Sequence, residues 1–261
     1  MLLVIDVGNT NIVFAAYDGK TRLSAWRCRT DSGQTADEYA AFLSQMFLSA
    51  GIMFKDISDV IMSSVVPAAN FHLIQFCDKH FGVKPHIVDY ALIKDHLSVL
   101  LEKPEEVGAD RLVNALAVKI FYQTPAVVVD FGTATTFDVI DHKGAYLGGS
   151  ISTGINLSLD ALHRAAAKLP KVDVRQPDRV IGQNTVEAMQ SGIFWGYVSL
   201  VEGMIAKISQ ELGAQPLVIA TGGLAPLIAK GTKSIQKLDD ELTIKGLLHL
   251  SQTLSHRQAA E

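Results

Sequence analysis

Disulfides, basic patches and long apolar runs are all missing from this sequence. Its only cysteines, Cys28 and Cys77, lie 49 residues apart in no pairing pattern. Two isolated thiols exclude a disulfide scaffold and point to reduced cysteines in a cytoplasmic protein. The net charge is −4, with no block of lysine or arginine, so neither nucleic acid nor an anionic membrane surface is an expected partner. No uninterrupted apolar stretch approaches the roughly 20 residues that span a bilayer. The N-terminus enters a strand directly, with no basic segment and no cleavage site. The eight histidines show no metal-ligand spacing, and His163, although near candidate site residues, reads as structural or surface.

The 261 residues are 48% hydrophobic and 19% charged, enough for one large domain or two ordinary ones with a substantial core. Within them one phosphate-binding type of turn occurs twice. The first copy is Leu2-Leu3-Val4-Ile5-Asp6-Val7-Gly8-Asn9-Thr10-Asn11 and the second is Val127-Val128-Val129-Asp130-Phe131-Gly132-Thr133-Ala134-Thr135-Thr136, 124 residues later. Each is a short apolar strand ending in Asp-x-Gly and a tail of hydroxyls or amides. Each leads into a second strand and a turn, at Asp18-Gly19 and Lys143-Gly144. The Asp-to-glycine spacing is 13 residues in one copy and 14 in the other. A lone Asp-x-Gly is most simply a strand closed by an Asx or glycine turn. Repetition with its hairpin argues instead for a duplicated domain, whose two turns can grip both ends of a triphosphate across a cleft.

Periodicity predicts strands at 2–6, 11–17 and 22–28, with Asp18-Gly19 as a type I′ hairpin turn. It predicts a helix over 35–50 with a Thr35-x-x-Glu38 capping box, a strand from Asp59 to Val66 closed by Pro67, a helix over 69–81 and a short strand at 85–88. A polar stretch from Leu101 to Val107 reads as a junction, giving domains 1–108 and 109–261, with the last residues able to pack back on the first. The second half repeats the pattern: a helix over 109–122, a strand at 126–130, a hairpin at 134–149, a helix over 154–167, a polar loop at 168–183, a long helix over 185–212, a strand at 217–221 and a helix after Gly223. Asn184 and Glu187 form an expected capping box for the long helix. The loop from Lys171 to Gln183 is a candidate mobile or interface segment, and the polar tail from Ser251 is expected to fray. Strands alternating with helices place the chain in the α/β class, with mixed sheets flanked by helices.

Strand-end aspartates point into the crevice at the carboxyl edge of such sheets, where ligands bind. Asp6 is therefore a candidate Mg²⁺ ligand, directly or through water, because that ion takes one or two carboxylates plus phosphate oxygens. Gly8 is expected to supply unusual dihedrals and close approach, and the successive amides from Asp6 to Asn11 an anion nest, with Asn9 and Thr10 adding donors. Leu217-Val218-Ile219-Ala220-Thr221-Gly222-Gly223 ends in a glycine pair against which a base or α-phosphate can lie. The glycines at 148, 149 and 154 serve either close approach to substrate or tight hairpin packing.

Phosphate turn, phosphate turn and Thr-Gly-Gly, in that order, resemble the acetate-kinase, sugar-kinase, heat-shock-chaperone and actin superfamily. Several further runs narrow the resemblance: Gly108-Ala109-Asp110-Arg111-Leu112-Val113-Asn114-Ala115, Asp130 to Phe137, Tyr146-Leu147-Gly148-Gly149, Gly154-Ile155-Asn156-Leu157-Ser158, Ala161 to Pro170, Ile181-Gly182-Gln183-Asn184-Thr185, and Leu242-Thr243-Ile244-Lys245-Gly246-Leu247. Together they are similar to type III pantothenate kinases, the bacterial enzymes that open coenzyme A synthesis.

That resemblance implies duplicated ribonuclease H-like, actin-like domains with the nucleotide cleft between them. It implies ATP binding at Asp6 to Val13 (Ile12 included), at Thr133 and at Gly222 and Gly223, and pantothenate binding at Gly108, Ala109, Asp110, Arg111 and Thr185. Asp110 would be the catalytic base, Asp130 would hold potassium or ammonium, and the protein would be a homodimer with active sites near the interface. In the residues themselves, Asp110 can equally be a first-turn helix charge, Arg111 a partner of Glu105 or Glu106, Thr185 a structural first-turn residue, and Asp130 a second magnesium-facing carboxylate. One departure stands out. Where many relatives carry a pantothenate-contacting aromatic residue, seven positions before Gly108, this chain has Leu101, which can wall a site but cannot donate a hydrogen bond. Two alternatives accompany the kinase reading: a superfamily kinase for another small alcohol, and a non-catalytic nucleotide-binding regulator.

Overall fold

The structure, a computed structural model, describes residues 1–166 and 169–258. Its strands are β1 (Leu2–Val7), β2 (Asn11–Asp18), β3 (Thr21–Arg29), β4 (Asp59–Ser64), β5 (His86–Ile87), β6 (Ala126–Phe131), β7 (Ala134–Ile140), β8 (Tyr146–Thr153), β9 (Leu217–Thr221) and β10 (Lys237–Leu238). Its helices are α1 (Ala36–Ser49), α2 (Pro67–Phe81), α3 (Tyr90–Ile93), α4 (Ala109–Phe121), α5 (Ile155–Ala165), α6 (Thr185–Leu212), α7 (Ala225–Ile228) and α8 (Leu242–Gln258).

The strands form two five-stranded sheets, ordered β3-β2-β1-β4-β5 and β8-β7-β6-β9-β10. The orders correspond strand for strand. In each, the strand carrying the turn aspartate pairs antiparallel with its hairpin partner and parallel with the strand on its other side. Each hairpin also carries a register shift, at Ala16/Tyr17 and at Val139/Ile140. The duplication read from two Asp-x-Gly turns thus extends to the whole topology.

The chain divides into two compact units. The first comprises Met1–Leu97, Glu102–Ala117 and the chain from Thr243 onward, and the second comprises Ser98–Leu101 and Val118–Leu242. The 108/109 junction expected from the sequence falls inside Glu102–Ala117, because α4 starts with the first unit.

In the first unit, alternation along β1 sends Leu3, Ile5 and Val7 into a core with Tyr39, Leu43 and Phe47 of α1 and Leu73 and Phe76 of α2. Val4 and Asp6 point to the opposite face. The Thr35 capping box forms as expected: the Thr35 amide donates to Glu38 Oε2 at 2.7 Å and the Glu38 amide to Thr35 Oγ1 at 3.4 Å. Pro67 opens α2 rather than merely ending β4, since its fixed φ and missing N–H suit a first helical position. Between β2 and β3 the loop is Gly19-Lys20. Only Gly19 takes positive φ (58°) and no non-glycine residue does so among those described. A type I′ turn needs two such residues, so that expectation is not met.

The tail behaves differently from expectation. Residues 251–258 are helical, and Ser251 is buried with its hydroxyl donating to Asp59 Oδ2 at 3.1 Å. Gly246 lets α8 sit on α4, because a Cβ there would lie 2.6 Å from Val113 Cγ1. Residues 259–261 of the tail, and the expected helix end and loop start at 167 and 168, lie outside the described residues.

In the second unit, Val127, Val129 and Phe137 pack with Phe194, Val198 and Val201 of α6. Asn184 caps α6 through its Oδ1, which accepts from the Glu187 amide at 2.9 Å. Glu187 reaches back to the Gln183 amide at 2.9 Å and to the Asn184 side chain at 2.8 Å, so the reciprocal bond of the expected box lands one residue earlier. The loop before α6 is packed along that helix. Arg175 Nε donates to Gln190 Oε1 at 2.8 Å, Gln190 Nε2 to the Asp173 carbonyl at 3.2 Å, and the Ser191 hydroxyl to the Val180 carbonyl. His163 Nδ1 lies 2.7 Å from the Leu169 carbonyl, a structural contact.

Candidate active site

At the first turn, the chain leaves β1 at Val7 and re-enters at Asn11, with Asn9, Thr10 and Asn11 exposed. The Gly8 amide closes the turn onto the Asn11 carbonyl at 3.0 Å. Gly8 does not take positive φ, against expectation. What glycine supplies is room, since a Cβ would sit 3.2 Å from that same carbonyl. Thr30, at the end of β3, braces the turn twice: its hydroxyl donates to the Gly8 carbonyl at 2.6 Å and its amide to the Thr10 carbonyl at 3.0 Å.

Asp6 stands half-buried at the end of β1. Burial pushes its carboxyl up to about 7, and the charge of Asp110 adds to the rise. Ser63 and Arg27 act in the opposite direction. Asp110 lies in the first turn of α4, whose first helical bond runs from the Leu112 amide to the Gly108 carbonyl at 3.2 Å. Asp110 Oδ1 accepts the Arg111 amide at 2.8 Å. It also folds back over Gly108, where a Cβ would come within 2.6 Å of that oxygen. Any side chain at 108 would force that carboxylate to move. Two mutually repelling carboxylates, one of them desolvated, fit a divalent cation: its charge would offset the repulsion, and water or phosphate oxygens could complete its shell. No group of three or more His, Cys, Asp or Glu side chains able to hold a metal exists among the described residues.

The second turn repeats the closure, with the Gly132 amide donating to the Ala134 carbonyl at 3.0 Å. Gly132 and Thr133 are exposed, and Asp130 is half-buried. Two later glycines press against this turn. A Cβ on Gly154 would lie 2.1 Å from the Thr133 carbonyl oxygen, and one on Gly222 would lie 2.6 Å from both Asp130 Oδ1 and the Phe131 carbonyl oxygen. Asp130 Oδ1 and the Phe131 carbonyl oxygen thus both lie against Gly222, and the Thr133 carbonyl accepts the Gly154 amide at 3.1 Å. Gly222 also takes φ +88°, whereas Gly223 has open space and no positive φ. Gly222→Ala is expected to destabilise the protein by about 1–3 kcal/mol through overpacking and strain, while Gly223→Ala stays near wild type. Chemical denaturation of both variants checks this, and equal midpoints would refute the crowding at Gly222.

The expected site residues thus divide between the units. Asp6 to Val13, Gly108, Ala109, Asp110 and Arg111 belong to the first; Asp130, Thr133, Thr185, Gly222, Gly223 and Leu101 belong to the second. Thr185 is exposed as the first residue of α6. Leu101 follows a short bridge between Val99 and Tyr146 and packs on Gly148, where a Cβ would lie 3.1 Å from Leu101 Cδ2. Gly148 also takes φ +114°, so the backbone conformation of the hairpin is the main reason for glycine there. Thr30, Ser63 and Arg27 were missed by sequence reasoning. Ser63 alone carried a signal, as one of two adjacent hydroxyls after the apolar middle of β4. Both cysteines are free, and burial pushes the Cys77 thiol up to about 12.

The family model for type III pantothenate kinases matches residues 2–207. A type III pantothenate kinase from Paramagnetospirillum magneticum is 56% identical over 250 residues, covering 96% of each chain. One from Rhodospirillum rubrum is 52% identical over 248 residues, covering 95% of this chain and 96% of the relative. Among solved structures, a Campylobacter jejuni protein described as a Baf family transcriptional activator superposes with a TM-score of 0.62 at 20% identity, over 97% of this chain and 99% of the other. A ROK hexokinase from Thermus thermophilus gives 0.51 at 15% identity, over 98% and 99%. At those identities the likeness is one of fold, the duplicated ribonuclease H-like architecture of actin-like sugar kinases.

Proposed function

The chain belongs to the type III pantothenate kinase family, and on that premise we propose that it transfers the γ-phosphoryl group of ATP to the primary hydroxyl of pantothenate, the first step of coenzyme A synthesis. The observation that carries the reading is the carboxylate pair: Asp110, at a helix start, acts electrostatically on Asp6 beside the first phosphate turn. Phosphoryl transfer rests on positioning and charge neutralisation more than on covalent chemistry, and a pair of unequal carboxylates supplies both.

Asp110 aligns the pantothenate hydroxyl and receives its proton late. The amide of Arg111 on its Oδ1 and its place in the first turn of α4 suit Asp110 to align and accept rather than to act as a strong base. Arg111 takes the pantothenate carboxylate, a bidentate match for guanidinium. Thr185 binds the acceptor from the start of α6, and Leu101 contributes an apolar wall. Asn9, Thr10, Asn11 and the amides from Val7 to Val13 take the phosphates, with Thr133. Gly222 and Gly223 offer a backbone surface to the adenosine. Asp6 is the residue to hold Mg²⁺, directly or through water; when bound, that ion would neutralise the phosphate oxygens during transfer. Asp130 and the carbonyls near it would hold K⁺ or NH₄⁺. The protein acts as a cytoplasmic homodimer. The exposed apolar residues Leu157, Val180 and Ile181 support a subunit contact. No helix is long and apolar enough to cross a membrane among the described residues.

Pantothenate-dependent ADP release, run first in K⁺ and then in Na⁺, tests the proposal. Turnover that requires pantothenate and is faster in K⁺ is expected. Folded protein without turnover in either salt would refute the kinase reading, and equal rates would remove the monovalent cation.

A further inference from the structure

Two adjacent serines end β4, and their hydroxyls have different fates. Ser64 Oγ donates to Asn70 Oδ1 at 2.5 Å and accepts from the Val66 amide at 3.2 Å, so it is committed to the start of α2. Ser63 is fully buried, and its Oγ has no hydrogen-bond partner among the described residues. A buried hydroxyl without a partner costs free energy and calls for an explanation.

Strand register supplies one. β1 and β4 run parallel with Ser63 directly beside Asp6, so both side chains project from the same face of the sheet. The second unit repeats the arrangement: Thr221 of β9 stands beside Asp130 of β6, and it too is buried, at 5% exposure. Each half of the duplication therefore carries a hydroxyl next to its strand-end carboxylate, on the neighbouring parallel strand.

We propose that Ser63 is a positioning residue for Asp6: its hydroxyl donates to the Asp6 carboxylate and holds it oriented toward the divalent cation that accompanies the nucleotide. Ser63 already lies near enough to favour the charged form of Asp6 without a closed hydrogen bond. A hydroxyl rotor with nothing else to bond is free to close on the carboxylate when a cation draws it into place. Outer groups that orient metal-binding carboxylates typically change metal affinity by about 10–100-fold when removed. The inference rests on the kinase reading, because only there does Asp6 face a metal–nucleotide complex.

Manganese is a suitable probe, since its binding to the full-length protein in the presence of ADP is read by electron paramagnetic resonance without any turnover. Ser63→Ala is expected to weaken Mn²⁺ binding by about 10-fold or more, while Ser63→Thr, which keeps the hydroxyl, retains wild-type affinity. Thr221→Val, which removes the twin hydroxyl beside Asp130, should leave Mn²⁺ affinity unchanged. The melting temperature of Ser63→Ala should not fall, because no protein hydrogen bond is lost. Wild-type Mn²⁺ affinity in Ser63→Ala would overturn the inference and leave the kinase reading intact, as would equal weakening in Thr221→Val. Failure of the wild type to bind Mn²⁺ with ADP would overturn the metal–nucleotide reading and the inference with it.

Discussion

Asp110→Asn is expected to lower kcat by about 10²–10⁴-fold, the usual contribution of a positioned acid–base group, while ATP binding persists. Asparagine keeps the shape, and its Oδ1 can still accept the Arg111 amide now bonded at 2.8 Å. The fold of the α4 start and the room provided by Gly108 should therefore survive. What is lost is the negative charge that receives the hydroxyl proton. The same charge raises Asp6, so its removal makes Asp6 easier to ionise and should not weaken metal–nucleotide binding. Calorimetric titration with an ATP analogue, beside steady-state ADP release, separates the two effects. Near-wild-type kcat would show that Asp110 is not the acceptor group, and loss of nucleotide binding would show that its role is structural.

Asp6→Asn should separate stability from activity even more widely. The Asp6 carboxyl is raised from 3.8 to about 7 in the folded protein, first by burial and then by Asp110. A raised acid stabilises the fold through the protonated form: the contribution is complete below 3.8 and is lost as pH climbs through about 7. Three units or so correspond to about 4 kcal/mol. In the ligand-free protein, asparagine imitates the protonated state at every pH. The variant should thus gain stability over wild type increasingly from about pH 4 to about pH 7 and level off above, by about 2–4 °C in melting temperature for each kcal/mol at this chain length. Its kinase activity should nevertheless collapse, because the metal loses its carboxylate. Thermal denaturation across that pH range, without nucleotide or divalent cation, provides the check. A variant less stable than wild type at pH 8 would show that the Asp6 carboxylate is stabilised by its surroundings rather than strained by them. The trade of stability for a charged, desolvated site is a familiar cost of function.

The features legible in the sequence were those that act along the chain. The apolar run from Leu2 to Ile5 and its copy from Val127 to Val129 declare buried strands, and Asp18-Gly19 and Gly144 mark the hairpins. Thr35 and Glu38 state a helix start in four residues, and the capping box forms. The tail was misread for the opposite reason. Residues after Ser251 are polar and look ready to fray, yet α8 is held by the close seat of Gly246 on Val113 and by Ser251 on Asp59. Neither partner is near in sequence, so no local pattern announces them. In the loop from Lys171 to Gln183, hydrogen bonds to α6 tie the backbone down while Val180 and Ile181 stay exposed, and the partners that hold it lie later in the chain.

The same division runs through the candidate site. Sequence alone determined that two Asp-x-Gly turns exist, that they are copies, and that a Gly-Ala-Asp-Arg run opens a helix, because strand, turn and helix signals each depend on a few consecutive residues. Tertiary structure decided the rest. It put Asp110 within electrostatic reach of Asp6, 104 residues away, and set Ser63 beside that carboxylate through the register of two parallel strands. It pressed Gly222 onto Asp130 and Gly154 onto Thr133. Those relations follow from how strands pair and helices seat on sheets, and they carry no trace in the order of neighbouring residues.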